Sequence, residues 1–296
     1  MIKVTLLGTS GSTPTKSRGM PSVALTYNGK VYLFDCGEGT QMRMLEYGIN
    51  ISKVETIFLS HIHGDHVIGI AGLIRTLALN NRQKPLVIHV PKGQESGIKS
   101  LIVFDKAIIK YPIIVKGIGS GTVYKGDGFE VDAFKLNHQI TTLGYVFSES
   151  DKFRFIKEKC KALGIKGEMF AQLGKRGKIK IGKRTIKLRD VTTLQKGKKV
   201  LYVTDTRPMT GTVRAARNAE ILIHEAAYTE KEKDLAKQRK HSTAHEAAHV
   251  AKLAKVKLLI ITHLSARHRD PDALYEEARK VFRNTVIGND GYTTEI

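Results

Sequence analysis

The sequence predicts an α/β fold in which helices cover β-sheets. Short apolar runs rich in β-branched residues, which are typical of strands, alternate with segments of helical periodicity. Several of these strands end at a residue that can bind a metal or transfer a proton. The runs cover residues 54–60, 129–137, 199–204, 219–223 and 257–262, and they end at His61, His138, Asp205, His224 and His263. Because sites in layered α/β folds gather at the carboxyl ends of strands, we expect these side chains to share one edge.

The remaining elements follow from turn and capping signals. Gly48 ends one helix, Pro271 opens another, and Thr243 with Glu246 forms a capping box at the start of a third. The helices are predicted at 40–47, 66–79, 244–255 and 271–282. Further strands are predicted at 2–7, 23–27, 30–34 and 86–90.

Composition limits the class of protein. The 296 residues are 41% hydrophobic and 26% charged, as in soluble globular proteins. No apolar run approaches the roughly 18 residues that a membrane span needs, and the N-terminal run is too short for a signal peptide. With only Cys36 and Cys160, the chain has neither a disulfide framework nor a thiolate zinc site. We therefore expect a cytoplasmic protein without membrane contact, whose metal ligands would be His, Asp or Glu.

The net charge of +21 is concentrated in one segment. Residues 151–199 hold 17 Lys and Arg against 4 Asp and Glu, which indicates a polyanionic partner. Within this segment we predict an amphipathic helix at 153–163 and a two-stranded hairpin at 178–188. Because the segment lies between the strand-end residues His138 and Asp205, we interpret it as an insertion into a single domain.

The densest chemical signal is the sequence SHIHGDH at residues 60–66. His61 and His63, two residues apart in an extended chain, point to the same side and can share one ion. Gly64 permits a tight turn, so that Asp65 and His66 can face a second ion.

Three strand-end residues complete the predicted centre. His138 would join the first ion, His263 the second, and Asp205 would bridge them. Imidazole and carboxylate ligands without sulfur suit Zn²⁺, with Mn²⁺ or Fe as alternatives. Two adjacent ions of this kind would activate water and stabilise the oxygens of an in-line displacement.

At residues 61–66 the sequence resembles the metallo-β-lactamase fold hydrolases, whose HxHxDH signature it matches without a gap. Within that superfamily it is similar to the ribonuclease Z family, which removes the 3′ trailer from precursor tRNA. The supporting segments are FDCGEGTQ at 34–41, DTRP at 205–208, HEA at 224–226 and HST at 241–243. The resemblance implies a four-layer αββα sandwich over residues 1–296, with a basic tRNA-binding arm at 153–197 inserted before the Asp205 strand.

The resemblance also implies a mechanism and partners. Asp65 would bind metal and take the proton from the attacking water. His241 would donate a proton to the leaving 3′ oxygen, and Glu225 would orient it. The expected cofactors are two Zn²⁺ ions per subunit, and the expected partners are precursor tRNA and a second copy of the chain in a homodimer.

Substrate contacts are implied in two regions. Lys16 and Arg18 lie in a loop that resembles the family's PxKxRN sequence, with Gly19 in place of Asn. In the arm, which lacks the family's usual Gly-Pro feature, the implied contacts are Lys175, Arg176 and Lys178.

Three other functions compete with this prediction. The same fold could act on small or cyclic phosphodiesters, or the chain could bind RNA without cleaving it. The sequence HEAAH at 245–249 also matches the HExxH signature of zinc peptidases. We interpret Glu246 as the helix cap, and His245 and His249 as part of a solvated basic face.

Overall fold

The computed structural model describes residues 1–102 and 108–296. The chain divides into two compact units. The first comprises residues 1–147 and 199–296, and the second comprises residues 148–198, which enclose the predicted arm.

The first unit contains two large sheets of seven described strands each. The strands of the first sheet are β1 Ile2–Gly8, β3 Ser22–Tyr27, β4 Lys30–Phe34, β5 Val54–Phe58, β6 Leu86–Pro91, β7 Ile113–Ile118 and β20 Thr293–Glu295. They are ordered β20-β1-β3-β4-β5-β6-β7, with β1, β3 and β4 antiparallel and β4 to β7 parallel.

The second sheet is built largely from the C-terminal half of the chain. Its strands are β8 Gly121–Gly126, β9 Phe129–Leu136, β10 Thr142–Glu149, β15 Lys199–Val203, β16 Ile221–Glu225, β17 Leu258–Thr262 and β19 Thr285–Ile287. They are ordered β19-β17-β16-β15-β10-β9-β8, and the neighbours from β15 to β19 are parallel. A short parallel pair, β2 Ser10–Gly11 with β18 Leu264–Ser265, lies outside both sheets.

The four helices predicted in this unit are present, one of them with a different start, and the structure adds three that were not predicted, at residues 95–102, 210–216 and 233–239. The described helices of this unit are α1 Thr40–Glu46, α2 Gly64–Val67, α3 Gly69–Leu79, α4 Glu95–Ile102, α7 Thr210–Ala216, α8 Lys233–Arg239, α9 Ala244–Ala254 and α10 Asp272–Val281. The single helix predicted at 66–79 is therefore wrong at its start, where the chain forms α2 and α3 instead.

Three hydrophobic clusters define four layers. One is formed by the facing sides of the two sheets, where Phe34 and Phe58 of the first meet Tyr145 and Tyr202 of the second. A second cluster lies between the first sheet and α1 and α3, and a third between the second sheet and α7, α9 and α10. The predicted αββα sandwich is confirmed.

Gly69 shows how closely α3 approaches the neighbouring chain. A Cβ atom at this position would lie 1.9 Å from the carbonyl oxygen of Gly37 and 2.9 Å from that of Cys36, and neither backbone can move aside easily. We expect Gly69→Ala to lower the free energy of unfolding by about 2–3 kcal/mol, measured by denaturant or thermal unfolding. Gly211→Ala in α7 is the matched control, because its Cβ would meet nothing within 4 Å. An equal loss in both variants would contradict the packing argument.

Sharp turns after strands position Asp35 and two of the predicted ligands, Asp205 and His263. Asp35 and His263 directly follow a strand, and Asp205 lies two residues after one. The φ angles of Asp35, Asp205 and His263 are positive, at 58°, 41° and 55°. Non-glycine residues rarely adopt this left-handed conformation, which often marks functional sites. Each turn ends the strand's hydrogen bonding and leaves the side chain at the sheet edge.

The second unit has its own small core. It contains β11 Lys152–Phe155 paired with β14 Thr192–Gln195, the hairpin β12 Lys178–Ile181 with β13 Arg184–Lys187, and helices α5 Lys157–Ala162 and α6 Met169–Arg176. The predicted hairpin is confirmed. The helix predicted at 153–163 is wrong over its first residues, because Phe153 and Phe155 alternate with basic residues and pair as a strand.

Candidate metal centre

A first group of four predicted ligands lies where β5, β9 and β15 end. Ligand atoms of His61, His63, His138 and Asp205 all lie within 4.8 Å of one another. Nε2 of His61 and Nε2 of His138 are each 3.6 Å from Oδ2 of Asp205. These distances leave room for one ion between them.

The second group uses the other oxygen of Asp205. Oδ1 of Asp205 lies 3.5 Å from Nε2 of His66 and 3.0 Å from Nε2 of His263. Oδ2 of Asp65 lies 3.4 Å and 3.7 Å from the same two nitrogens. The structure thus brings together all seven predicted ligands, with Asp205 between the two groups.

The unpaired nitrogens fit a cation. Nε2 of His66, His138 and His263 are buried and have no hydrogen-bond partner within the described residues, although buried polar atoms are normally paired. Burial raises the pKa values of Asp65 and Asp205, but the surrounding histidines outweigh it and lower both, so that both stay ionised. The donor set and the charge therefore suit divalent metal.

The pKa values of His61 and His66 are shifted in opposite directions. Burial, reinforced by the charge of His66, holds the pKa of His61 well below its usual value, so that His61 is a neutral ligand. Burial also lowers the pKa of His66, but Asp205 and Asp35 outweigh it and raise that pKa well above its usual value. The centre favours positive charge at this point, which a metal ion would provide.

Asp35 is a residue of the centre that we did not predict from the sequence. Its buried carboxylate accepts hydrogen bonds from Ser60 N at 2.7 Å, Ser60 Oγ at 2.8 Å and the Tyr202 hydroxyl at 2.8 Å. It also lies 2.7 Å from Nδ1 of His66. Because a carboxylate accepts this bond, Nδ1 carries a proton, and Nε2 is the nitrogen at which a metal ion would replace a proton. The signal was present, since Asp35 directly follows the strand predicted at 30–34.

His241 and Glu225 form a pair beside the centre. Nδ1 of His241 lies 3.0 Å from Oε1 of Glu225, which is fully buried and also accepts hydrogen bonds from Thr206 N and Ser242 N. Burial lowers the pKa of His241, but the charge and hydrogen bond of Glu225 outweigh it and raise the pKa to about 9. His241 is therefore protonated near neutral pH, and its Nε2 is the nitrogen left to act in the cleft.

A cleft of about 460 Å³ gives access to these groups. It combines predicted metal ligands with His241 and with the cationic side chains of Arg239 and Arg267. Most of the remaining lining is polar, and Gly11 and Ala266 complete it. The polar and aromatic lining residues are Ser12, Thr13, Gln139, Tyr228 and Ser265.

The predicted substrate-binding residues occupy different settings. Lys16 is exposed beside a second cleft of about 520 Å³, bounded by residues 14–18 and 264–269. The Arg18 guanidinium instead donates to Thr9 Oγ1, Gly288 O and Asn289 Oδ1 at 2.7, 2.5 and 2.7 Å, and so fixes its own loop. Exposed on the second unit are Lys175, Arg176 and Lys178.

The HExxH segment is not part of a metal site. His245 and His249 are exposed, and neither belongs to any group of potential ligands found in the described part of the chain. Glu246 accepts a hydrogen bond from Thr243 N at 3.0 Å, and Thr243 Oγ1 accepts one from Glu246 N at 3.1 Å. The predicted capping box is confirmed.

A helix-covered pair of sheets with a His/Asp centre at one strand edge defines the metallo-β-lactamase class of hydrolases. A protein of this fold from Bacillus subtilis has a TM-score of 0.73 and 19% identity, covering 100% of this chain and 99% of that one. The short form of human tRNase Z has a TM-score of 0.72 and 25% identity, covering 99% of each chain.

The sequence relatives are more specific. The family model described as tRNase Z endonuclease matches residues 10–69. Ribonuclease Z of Methanothermobacter thermautotrophicus is 40% identical over 100% of this chain and 97% of its own length. Ribonuclease Z of Archaeoglobus fulgidus is 41% identical over 100% of this chain and 98% of its own length. The chain belongs to the ribonuclease Z family.

Proposed function

We propose that the chain is a metal-dependent endoribonuclease that cuts the 3′ trailer from precursor tRNA and leaves a 3′ hydroxyl. The observation that carries this proposal is the seven-residue His/Asp centre with the His241–Glu225 pair beside it. Relatives named ribonuclease Z, matched over their full length, support the choice of substrate.

The metal would be held by the two groups described above. His61, His63 and His138 would bind one ion. Asp65, His66 and His263 would bind the other ion, and Asp205 would bind both. Two Zn²⁺ ions, or Mn²⁺ in their place, would supply Lewis-acid chemistry that activates water and stabilises charge on the phosphodiester.

Protons would be moved by this chain's own residues. Asp65 would hold the attacking water and take its proton through a carboxylate that also accepts a hydrogen bond from Ser12 N at 3.0 Å. His241, protonated near neutral pH, would give the proton on Nε2 to the departing 3′ oxygen. Glu225 would hold the ring in place through Nδ1.

Affinity for tRNA would come mainly from the basic arm at 153–197, with Lys16 near the cleft as a further contact. Lysine and arginine side chains bind RNA by neutralising its phosphates, and this binding weakens as the salt concentration rises. Proteins recognise double-stranded RNA largely by its shape. We also propose a homodimer located in the cytoplasm, with residues 1–296 as one metallo-hydrolase domain that carries the arm. No helix in the described part of the chain is long and apolar enough to cross a membrane.

The test of this function is cleavage of a 3′-extended tRNA transcript by the zinc-loaded protein. We expect one cut at the end of the mature tRNA sequence, leaving a 3′ hydroxyl, mapped by sequencing the product ends. If the transcript stays intact while cyclic nucleotides are hydrolysed, the chain is a small-substrate phosphodiesterase instead.

The arm's contribution can be tested by charge reversal. The triple variant Lys175→Glu, Arg176→Glu, Lys178→Glu should weaken tRNA binding by about 100-fold at moderate salt and reduce the salt dependence, because phosphate contacts are lost. Filter binding over a salt series measures both. Hydrolysis of bis(p-nitrophenyl) phosphate, which is too small to need an arm, serves as the internal reference. A matched triple reversal at Lys84, Lys92 and Lys99, all exposed on the first unit, should cost far less; equal losses would contradict a specific role for the arm.

A further inference from the structure

His241 lies in a very short connection between two helices. Residues 240–242 join α8 to the N-cap of α9 at Thr243. Lys240 has a left-handed conformation with a φ of 57°, so the chain reverses sharply just before His241. The direction of the imidazole ring therefore depends on what fixes the backbone of this connection.

Lys240 is held by hydrogen bonds with Lys237 and His138, and three further hydrogen bonds hold His241 and Ser242. His241 N donates to Ala236 O at 2.8 Å, and Ser242 N donates to Glu225 Oε2 at 3.1 Å. The Ser242 hydroxyl donates to Thr206 O at 2.6 Å. The remaining group close to the imidazole is the carbonyl of His241, which accepts a hydrogen bond from Arg207 Nη1 at 2.5 Å.

Arg207 is itself fixed by Glu246. Nη1 of Arg207 donates to Oε2 of Glu246 at 2.8 Å, and Nη2 donates to Oε1. Their side chains are 17% and 13% exposed, so this two-point ion pair is well shielded from water. Planar pairing of guanidinium with carboxylate sets the orientation of both groups. The contacts form a continuous path from Glu246 through Arg207 to the backbone of His241.

The helix cap does not need this path. Glu246 already caps α9 through Thr243 N, and Thr243 Oγ1 completes the cap. The guanidinium shares Oε2 of Glu246 with that cap, but its contact with the carbonyl of His241 lies beyond the cap and reaches the residue that faces the cleft.

We propose that Arg207 and Glu246 are positioning residues that set the orientation of His241 for proton donation to the leaving oxygen. This inference rests on the proposed function. A displacement of about 1 Å at a reacting group can cost about 100-fold in rate, so we expect loss of the guanidinium to lower tRNA cleavage by about 10- to 100-fold. The HExxH sequence thus contributes its glutamate to the proposed RNA-cleaving site, while its histidines lie outside the groups of potential metal ligands among the described residues.

The experiment is a double-mutant cycle in the zinc-loaded full chain. Single-turnover cleavage of the tRNA transcript is measured for Arg207→Ala, His241→Ala and the double variant. Residues that act through one another are non-additive, so Arg207→Ala should cost about 10- to 100-fold alone and less than about 2-fold when His241 is already absent. Arg207→Lys, which keeps one charge but cannot bridge both partners, should fall between wild type and Arg207→Ala. Arg214→Ala, an exposed arginine of α7, is the matched control and should match wild type.

Two further measurements separate positioning from loss of structure. Zinc content and melting temperature show whether the fold and centre persist, and the equilibrium affinity for tRNA shows whether Arg207 binds RNA directly. Unchanged zinc and affinity with a reduced rate support positioning. Equal losses in the wild-type and His241→Ala backgrounds, or a loss of affinity in place of rate, would overturn the proposal while leaving the function intact. Failure of the wild-type chain to cleave tRNA would overturn the function itself.

Discussion

Asp205→Ala should abolish cleavage of precursor tRNA, with a loss of about 1,000-fold or more. Asp205 is the residue that faces both groups of ligands, since Oδ1 lies 3.0 Å from His263 and Oδ2 lies 3.6 Å from both His61 and His138. Its removal would take the shared ligand from both proposed ions and leave buried histidines without a compensating charge. Metal supplies several kcal/mol to reactions of this kind, and each 1.36 kcal/mol is tenfold in rate. Single-turnover assays measure the loss of cleavage rate, and metal analysis after dialysis measures the loss of bound metal.

A second substitution separates charge from shape. Asp205→Asn keeps the size of the side chain and suits the left-handed backbone, because Asn tolerates positive φ. It should therefore fold and still lose metal. His245→Ala is the matched control, since this exposed histidine of the HExxH segment should leave bound zinc unchanged. Zinc retained by Asp205→Asn, or lost from His245→Ala, would contradict our assignment of the centre.

Part of the arrangement of the centre follows from one geometric rule. Parallel strands of one sheet end at the same edge, so Asp205 and His263, which follow β15 and β17 of the second sheet, were expected to lie near each other. His61 follows β5 of the first sheet and meets them because the two sheets pack face to face. The layer order followed from the resemblance, and the three hydrophobic clusters now account for it physically.

The features that the sequence did not predict also have physical causes. Asp35 was noted only as part of a family segment, although it directly follows a predicted strand, because its contact with His66 joins residues 31 positions apart in the sequence. The break between α2 and α3 is set by the close approach of Gly69 to the backbone of residues 36–37, a long-range contact that helical periodicity does not record. The strand β11 was assigned to a helix because its partner β14 lies about 40 residues further along the chain.

The contacts that link Glu246 through Arg207 to the backbone of His241 could not be predicted from the sequence either. Arg207 and Glu246 are separated by 39 residues, and their pairing depends on the long-range approach of the segment after β15 to the first turn of α9. Sequence reasoning identified Glu246 as a cap, and that is confirmed, but one carboxylate serves both the cap and Arg207. A residue with a sufficient local explanation can therefore have a second, long-range role.

His241→Ala should lower tRNA cleavage by about 100- to 10,000-fold, the usual contribution of a positioned general acid. The ribose 3′ oxygen is a poor leaving group and needs a proton as the P–O bond breaks. The structure provides a protonated imidazole at the cleft, because Glu225 raises the pKa of His241 to about 9. The loss should appear in the rate of single-turnover cleavage at saturating enzyme, with tRNA affinity nearly unchanged.

Leaving groups of different basicity test directly whether His241 donates a proton. Nitrophenolate departs without a proton, so His241→Ala should slow hydrolysis of bis(p-nitrophenyl) phosphate far less than it slows tRNA cleavage. A transcript with sulfur in place of the bridging 3′ oxygen at the cut site should likewise recover most of the lost rate, because a thiolate leaves unaided. His249→Ala, which removes an exposed histidine from α9, controls for the loss of an imidazole. Equal losses on the tRNA, thio-substituted and nitrophenyl substrates would show that His241 supports the centre in another way, because only a proton donor makes the loss depend on the basicity of the leaving group.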